Sequence, residues 1–211
     1  MSRSFAPSPA LETSGRILAV AERFAQMRGF NGFSYADIAA ELAITKASLH
    51  YHFATKAELG RALIVCYSER FEAALAEIER AADTQKRIYR YMQLYESVLV
   101  RDRMCLCGMF AAEYQTLPTA MQQAIRHFFD TNEAWLARNL DHGRKAGKLH
   151  FNGTAIEAAR TLTAGLQGAM LLARTYAEPV RFTATAKRLL TELGVSRSSA
   201  AEVKPSANCR Q

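Results

Sequence analysis

The chain has 211 residues, 49% hydrophobic and 22% charged, with 27 Lys and Arg against 20 Asp and Glu for a net charge of +7. That is the composition of a globular protein long enough to bury a core without disulfides, and it excludes collagen-like and wholly disordered chains. The charge suits an anionic partner without naming one, and residues 1–60 hold six basic against five acidic side chains, so bulk charge does not mark the N-terminal region.

The opening MSRSFAPSPA contains no apolar segment of a secretory signal. Residues 1–12 are expected to form a flexible arm in a cytoplasmic protein whose four cysteines stay reduced. From about Thr13 to Arg28, Ile17, Leu18, Ala21, Phe24 and Ala25 recur at helical spacing, and Gly29 suits the left-handed stop. Three capping signals follow closely. Ser34 with Asp37, Thr45 without an acidic partner, and Thr55 with Glu58 start helices near residues 35, 46 and 56. The second and third helices have room for only about eight and seven residues across a turn at Ala43-Ile44, the outline of a helix-turn-helix. Ile38, Leu42, Ile44, Leu49 and Phe53 would seat it on Phe24 and Leu18.

Longer helices follow: one to about Ala82, one from about Asp83 to Val100, and, after a broken stretch with Gly108 and Pro118, one from Thr119 to Lys145 that stops at Gly147. Thr154 and Glu157 form a further capping box, and Pro179 closes the helix it opens. The longest apolar run in that helix, Leu166 to Ala173, falls short of the roughly 20 residues that span a membrane, so no membrane partner is expected. A last helix ends at Leu193 before Gly194. Residues 195–211, rich in Ser, Ala and charge, with Pro205 and Cys209, are expected to be a disordered tail. Only Leu149-His150-Phe151 looks strand-like, so the fold class is all-α.

The stretch GFNGFSYADIAAELAITKASLHYHFATKAEL resembles the DNA-binding signature of the TetR family of transcriptional regulators, with the likeness continuous from about Ser14 to Leu63. The resemblance implies a helix-turn-helix three-helix bundle at 13–54 and a larger helical effector-binding and dimerisation domain at 55–194. It implies a homodimer, double-stranded operator DNA as a partner, and a small-molecule effector. MCLCGMFAAE and GAMLLAR resemble a branch that includes sensors of electrophiles and unsaturated carbonyl compounds. His50 stands where the family more often has Tyr, and Ala47 where it often has Gly.

On that reading the third helix enters the major groove N-terminus first. Lys46 suits guanine N7 and O6, Ala47 a thymine methyl, and Ser48 a base or phosphate. His50 and Tyr51 reach the sugar-phosphate edge, and Lys56 stands where the family clamps a phosphate, helped by the helix N-terminus. Thr13 and Ser14 are candidates for a similar contact. Ser34 and Thr45 are caps first and DNA contacts second, and Tyr35 packs or touches a phosphate. His50 and His52 point to different sides of a helix, so no metal is expected. Ala158, Gly165, Gly168 and Ala169 let helices approach closely and are candidates for the dimer interface, or else for an Ala-rich core.

Tyr91, Tyr95, Met109, Phe110, Phe128 and Trp135, with Glu113 as a polar member, either line an effector cavity or are ordinary core. Cys105 matches the reactive thiol of the electrophile-sensing branch, with Cys107 as a partner; the other reading makes both small buried hydrophobes. Cys66 reads as packing. No phosphate loop, nucleophile elbow or dinucleotide fingerprint is present, so no enzymatic activity and no cofactor are expected. The competing class is a helical small-molecule carrier or enzyme that uses the C-terminal cavity without binding DNA.

Overall fold

The computed structural model describes residues 9–81 and 83–195, and these form nine α-helices, one 3-10 helix and no strand. The expected tail beyond Val195 and the first eight residues of the expected arm lie outside the described residues. The helices are α1 (Pro9–Arg28), α2 (Tyr35–Leu42), α3 (Lys46–His52), α4 (Lys56–Glu79), α5 (Thr84–Leu99), α6 (Leu106–Ala112), α7 (Thr119–Lys145), α8 (Ala155–Thr175) and α9 (Pro179–Glu192), with the 3-10 turn at Tyr114–Thr116. The chain divides into two compact units: residues up to Arg70 with Arg103–Phe128, and Phe71–Asp102 with residues from Phe129 on. In this division α6 and the start of α7 belong with the N-terminal helices.

In the first unit, α1 opens four residues before the expected start, at Pro9, where the missing N–H costs nothing. The last part of the expected arm is therefore helical. Ile17, Ala21, Phe24 and Ala25 are buried along one face of α1, and α2 and α3 pack against it. Neither short helix would persist alone. Their buried anchors are Ile38 and Leu49; Leu18, Leu42, Ile44 and Phe53 are only half-buried. The turn between them is made by Ala43 in the left-handed region, φ 53° and ψ 42°, with Ile44 N–H donating to the Ala39 carbonyl at 3.1 Å.

In the second unit, α5 buries Ile88, Tyr91, Met92, Tyr95 and Leu99, one stripe at helical spacing, and packs on α8 and α9. α8 and α9 form a hairpin turned by Ala177 (φ 53°). The strand-like Leu149-His150-Phe151 is not a strand: His150 N–H donates to the Leu193 carbonyl at 3.0 Å in a single link. Val195, placed in the expected tail, is buried and closes onto Leu190.

Candidate nucleic-acid interface

α3 is seven residues long, and its surroundings divide its side chains cleanly. Leu49 is fully buried, whereas Lys46, Ala47, His50 and Tyr51 are exposed at i, i+1, i+4 and i+5, one outward face. Tyr51 is 82% exposed. Thr45 caps the helix by accepting from Ser48 N–H at 3.1 Å, so Ser48 sits half-buried at the first turn. His50 Nδ1 donates to the Ala54 carbonyl at 3.0 Å, so only Nε2 can serve a DNA partner.

The flanking candidates are more committed to structure than their spacing suggested. Ser34 and Asp37 form a reciprocal capping box, which holds the Asp37 carboxyl below its ordinary pKa through hydrogen bonds from the Ser34 hydroxyl and amide. Tyr35 donates to the Phe53 carbonyl at 2.8 Å and lies 4.8 Å from the His50 ring. Burial, and then the charge of Glu58, raise its pKa to about 12. Tyr35 is a clasp across the helix-turn-helix. Thr13 and Ser14 are half-buried in the second turn of α1.

Lys56 has a structural role within its own unit: its ammonium donates to the Phe30 carbonyl at 2.6 Å and to the Phe33 carbonyl, and lies 4.6 and 4.5 Å from the two phenyl centroids. Desolvation lowers its pKa despite the nearby Glu113 and Asp37 carboxylates. The physical reason lies in the loop 29–33. Its carbonyls have no helical partners, and an ammonium held over two aromatic faces meets them.

Glu113 serves the same loop from the other side. Its carboxylate accepts from Phe30 N–H at 2.7 Å and Asn31 N–H at 3.1 Å. Gly29 is needed here twice over: its φ is +80°, and a Cβ would overlap the Glu113 carboxylate. Asn31 also donates to Thr116 Oγ1 at 2.9 Å. The C-terminal end of α6 is thereby pinned to the loop that enters α2. Sequence reading missed this bracket; its only signal was Gly29 directly after the first helix.

The remaining candidates fall into both units. In the first, Cys105 and Cys107 are 1% and 0% exposed at the start of α6. Burial raises the Tyr67 pKa well above its ordinary value, and the neighbouring Cys105 and Cys107 thiols add to the effect. Burial pushes the Cys107 thiol well above its ordinary pKa, with Cys105 and Glu22 adding to the effect. Both thiols are enclosed by the unit's own side chains. Phe110 packs edge-on against Phe30 at 5.6 Å, Phe128 lies 5.6 Å from Tyr67, and Met109 is half-buried. In the second unit, Tyr91 stacks on Trp135 at 5.7 Å and shares a 3.0 Å hydrogen bond with Tyr95.

Of the small residues on α8, Ala158 and Ala169 are buried within their own unit, and Gly165 faces Leu189 of α9. Gly168 alone of the four is open, with nothing within 4 Å of a built Cβ. Further along α8, Leu171, Leu172 and Tyr176 are 55–57% exposed, apolar side chains the sequence reading did not single out.

A family model described as "Bacterial regulatory proteins, tetR family" matches residues 17–63. The crystal structure of a TetR-family transcriptional regulator from Agrobacterium tumefaciens is 30% identical, covers 87% of this chain and 98% of its own, and superposes with a TM-score of 0.84. The chain belongs to the TetR family. A TetR regulator from Legionella pneumophila is 29% identical over 92% of this chain and all of its own, with a TM-score of 0.79. Transcriptional regulator AcuR of Cereibacter sphaeroides is 24% identical over 82% of this chain and 81% of its own. The reduced form of E. coli NemR, 23% identical over 86% of this chain and 97% of its own (TM-score 0.74), shares the TetR fold. This chain is thus a TetR-type transcriptional regulator with a helix-turn-helix, and no described helix is long and apolar enough to cross a membrane.

Proposed function

We propose that the protein is a homodimeric cytoplasmic repressor that grips a palindromic operator through two copies of α3 and releases it when a small molecule binds beyond the head. The observation that carries this reading is the outward face of α3, Lys46, Ala47, His50 and Tyr51, set opposite the buried Leu49. Lys46 at the first helical position is suited to a guanine edge and Ala47 to a thymine methyl. Tyr51 and His50 Nε2 lie further along the same face and suit the sugar-phosphate edge. The operator is then an inverted repeat with half-sites about 34–36 Å apart, one helical turn or a multiple of it. The dimer is supported by the open Gly168 flanked by exposed Leu171 and Leu172. Residues 13–54 are the DNA-reading head, and 55–194 carry dimerisation and sensing.

The experiment is a titration of duplexes from the gene's own upstream region, read by gel shift at several salt concentrations. A specific complex with two chains per duplex is expected. Lys46→Ala relaxes preference at one base position, and Tyr51→Ala weakens all sequences. Absence of any sequence preference over random duplex would reject the reading in favour of a carrier that has lost its operator. A second reading, release by an electrophile at Cys105, is favoured by the place of Cys105 at the N-cap of α6, the helix whose far end Glu113 ties to the head loop.

A further inference from the structure

α5 and α7 run antiparallel in the second unit, and two contacts set their register. Arg87 Nη1 donates to Asn139 Oδ1 at 3.1 Å, and one turn on, Tyr91 stacks on Trp135 at 5.7 Å. Two buried asparagines lie on one stripe of α7, seven residues apart, 1% and 2% exposed. Asn139 is fully engaged: its oxygen accepts from Arg87, and its nitrogen donates to the Trp135 carbonyl at 3.0 Å. Asn132 has no hydrogen-bond partner at either Oδ1 or Nδ2. In the same unit the Tyr95 and Tyr91 hydroxyls are 3.0 Å apart, and Tyr91 reaches Thr163 Oγ1 at 3.4 Å.

A buried amide with both ends unmet is costly, and proteins keep such groups where something else completes them. We propose that Asn132 is the polar anchor of an effector site in this unit, and that the site reads small uncharged molecules presenting a carbonyl with a donor on the same carbon, foremost a primary amide. An amide edge carries one acceptor and paired donors, so its complement is another amide edge or an undissociated carboxyl group. A full anion is disfavoured. No Lys or Arg is buried among the described residues, and Arg87 is committed two turns away at Asn139. The proposal rests on the reading of this chain as an effector-responsive regulator and supplies the chemistry of the effector.

The test uses the full-length protein without DNA, so that failure of operator binding and failure of this site are told apart. Thermal melting is followed with the neutral primary amides from acetamide to hexanamide, and with the matching carboxylates at pH 7 and at a pH near their own pKa. One chain length of amide is expected to raise the midpoint by about 3 °C or more at roughly ten times its dissociation constant. The carboxylates are inert at pH 7, and a shift by the acid at low pH alone assigns the neutral carboxyl as the second member of the class. Asn132→Leu, nearly isosteric, should melt above the wild type in the absence of ligand and lose the amide response. No shift with any amide means the site holds water only, and a shift by carboxylate at pH 7 means an anion site; either overturns the proposal. So does an Asn132→Leu protein that melts lower than wild type, which would give Asn132 a structural partner.

Discussion

Lys56 offers the sharpest test of how the head is built. Replacing it with Met keeps the stem and removes the ammonium that serves the Phe30 and Phe33 carbonyls and lies over both rings. Two half-buried carbonyls lose a charged donor, about 1.5–3 kcal/mol, and the ring contacts lose about 0.5–1 kcal/mol. Relief of the ammonium's desolvation, which holds its pKa down, offsets part of this. The net loss should be about 2 kcal/mol, or roughly 4–8 °C in melting midpoint for a chain of this size. The assay pairs calorimetric melting with operator affinity measured against salt, at a temperature where the variant is folded. A phosphate clamp removed would flatten the logarithmic salt slope by about 0.9; a loop anchor removed leaves the slope alone and lowers stability. An unchanged midpoint together with a slope reduced by about one would refute the anchor and restore the clamp.

Gly168→Arg should leave the protomer folded, because the site is open, yet convert the dimer to monomer in light scattering; a dimer that persists places the interface elsewhere. In a Cys209→Ser background, Cys66 should react with a thiol reagent before Cys105 and Cys107, which are enclosed. Rapid adduct formation at Cys105 with an unsaturated aldehyde, with loss of operator, would instead make it the sensor. Glu157 accepts from the Thr154 amide and hydroxyl, which lowers its folded pKa below 4.5. A depressed carboxyl contributes stability that is present above its unfolded pKa and is lost as pH falls through the folded one. Glu157→Gln should therefore melt less steeply with acid below pH 4.5 than wild type, and identical acid profiles would show the cap carries no linkage.

The helix boundaries were legible because their causes are local. The Ser34–Asp37 and Thr154–Glu157 boxes, Thr45 and Thr55 as caps, and Gly29 as a stop act within four residues of their own position, so spacing alone located α2, α3, α4 and α8. The face of α3 was legible as well: with Leu49 inward, 3.6-residue geometry turns Lys46, Ala47, His50 and Tyr51 outward. What spacing does not carry is the partner of a long polar side chain. Lys56 reads as a helix-start cation, and only the fold brings the Phe30 and Phe33 carbonyls, more than twenty residues earlier, to its ammonium. Glu113 reads as a polar member of an aromatic segment until tertiary packing lays it on the Phe30 and Asn31 amides, over eighty residues away. The small residues of α8 divide the same way. Composition marks all four as capable of close approach, but which face meets α9 and which stays open depends on helix rotation. That rotation is decided by burying Leu162, Leu166 and Met170, and it leaves Gly168 facing outward.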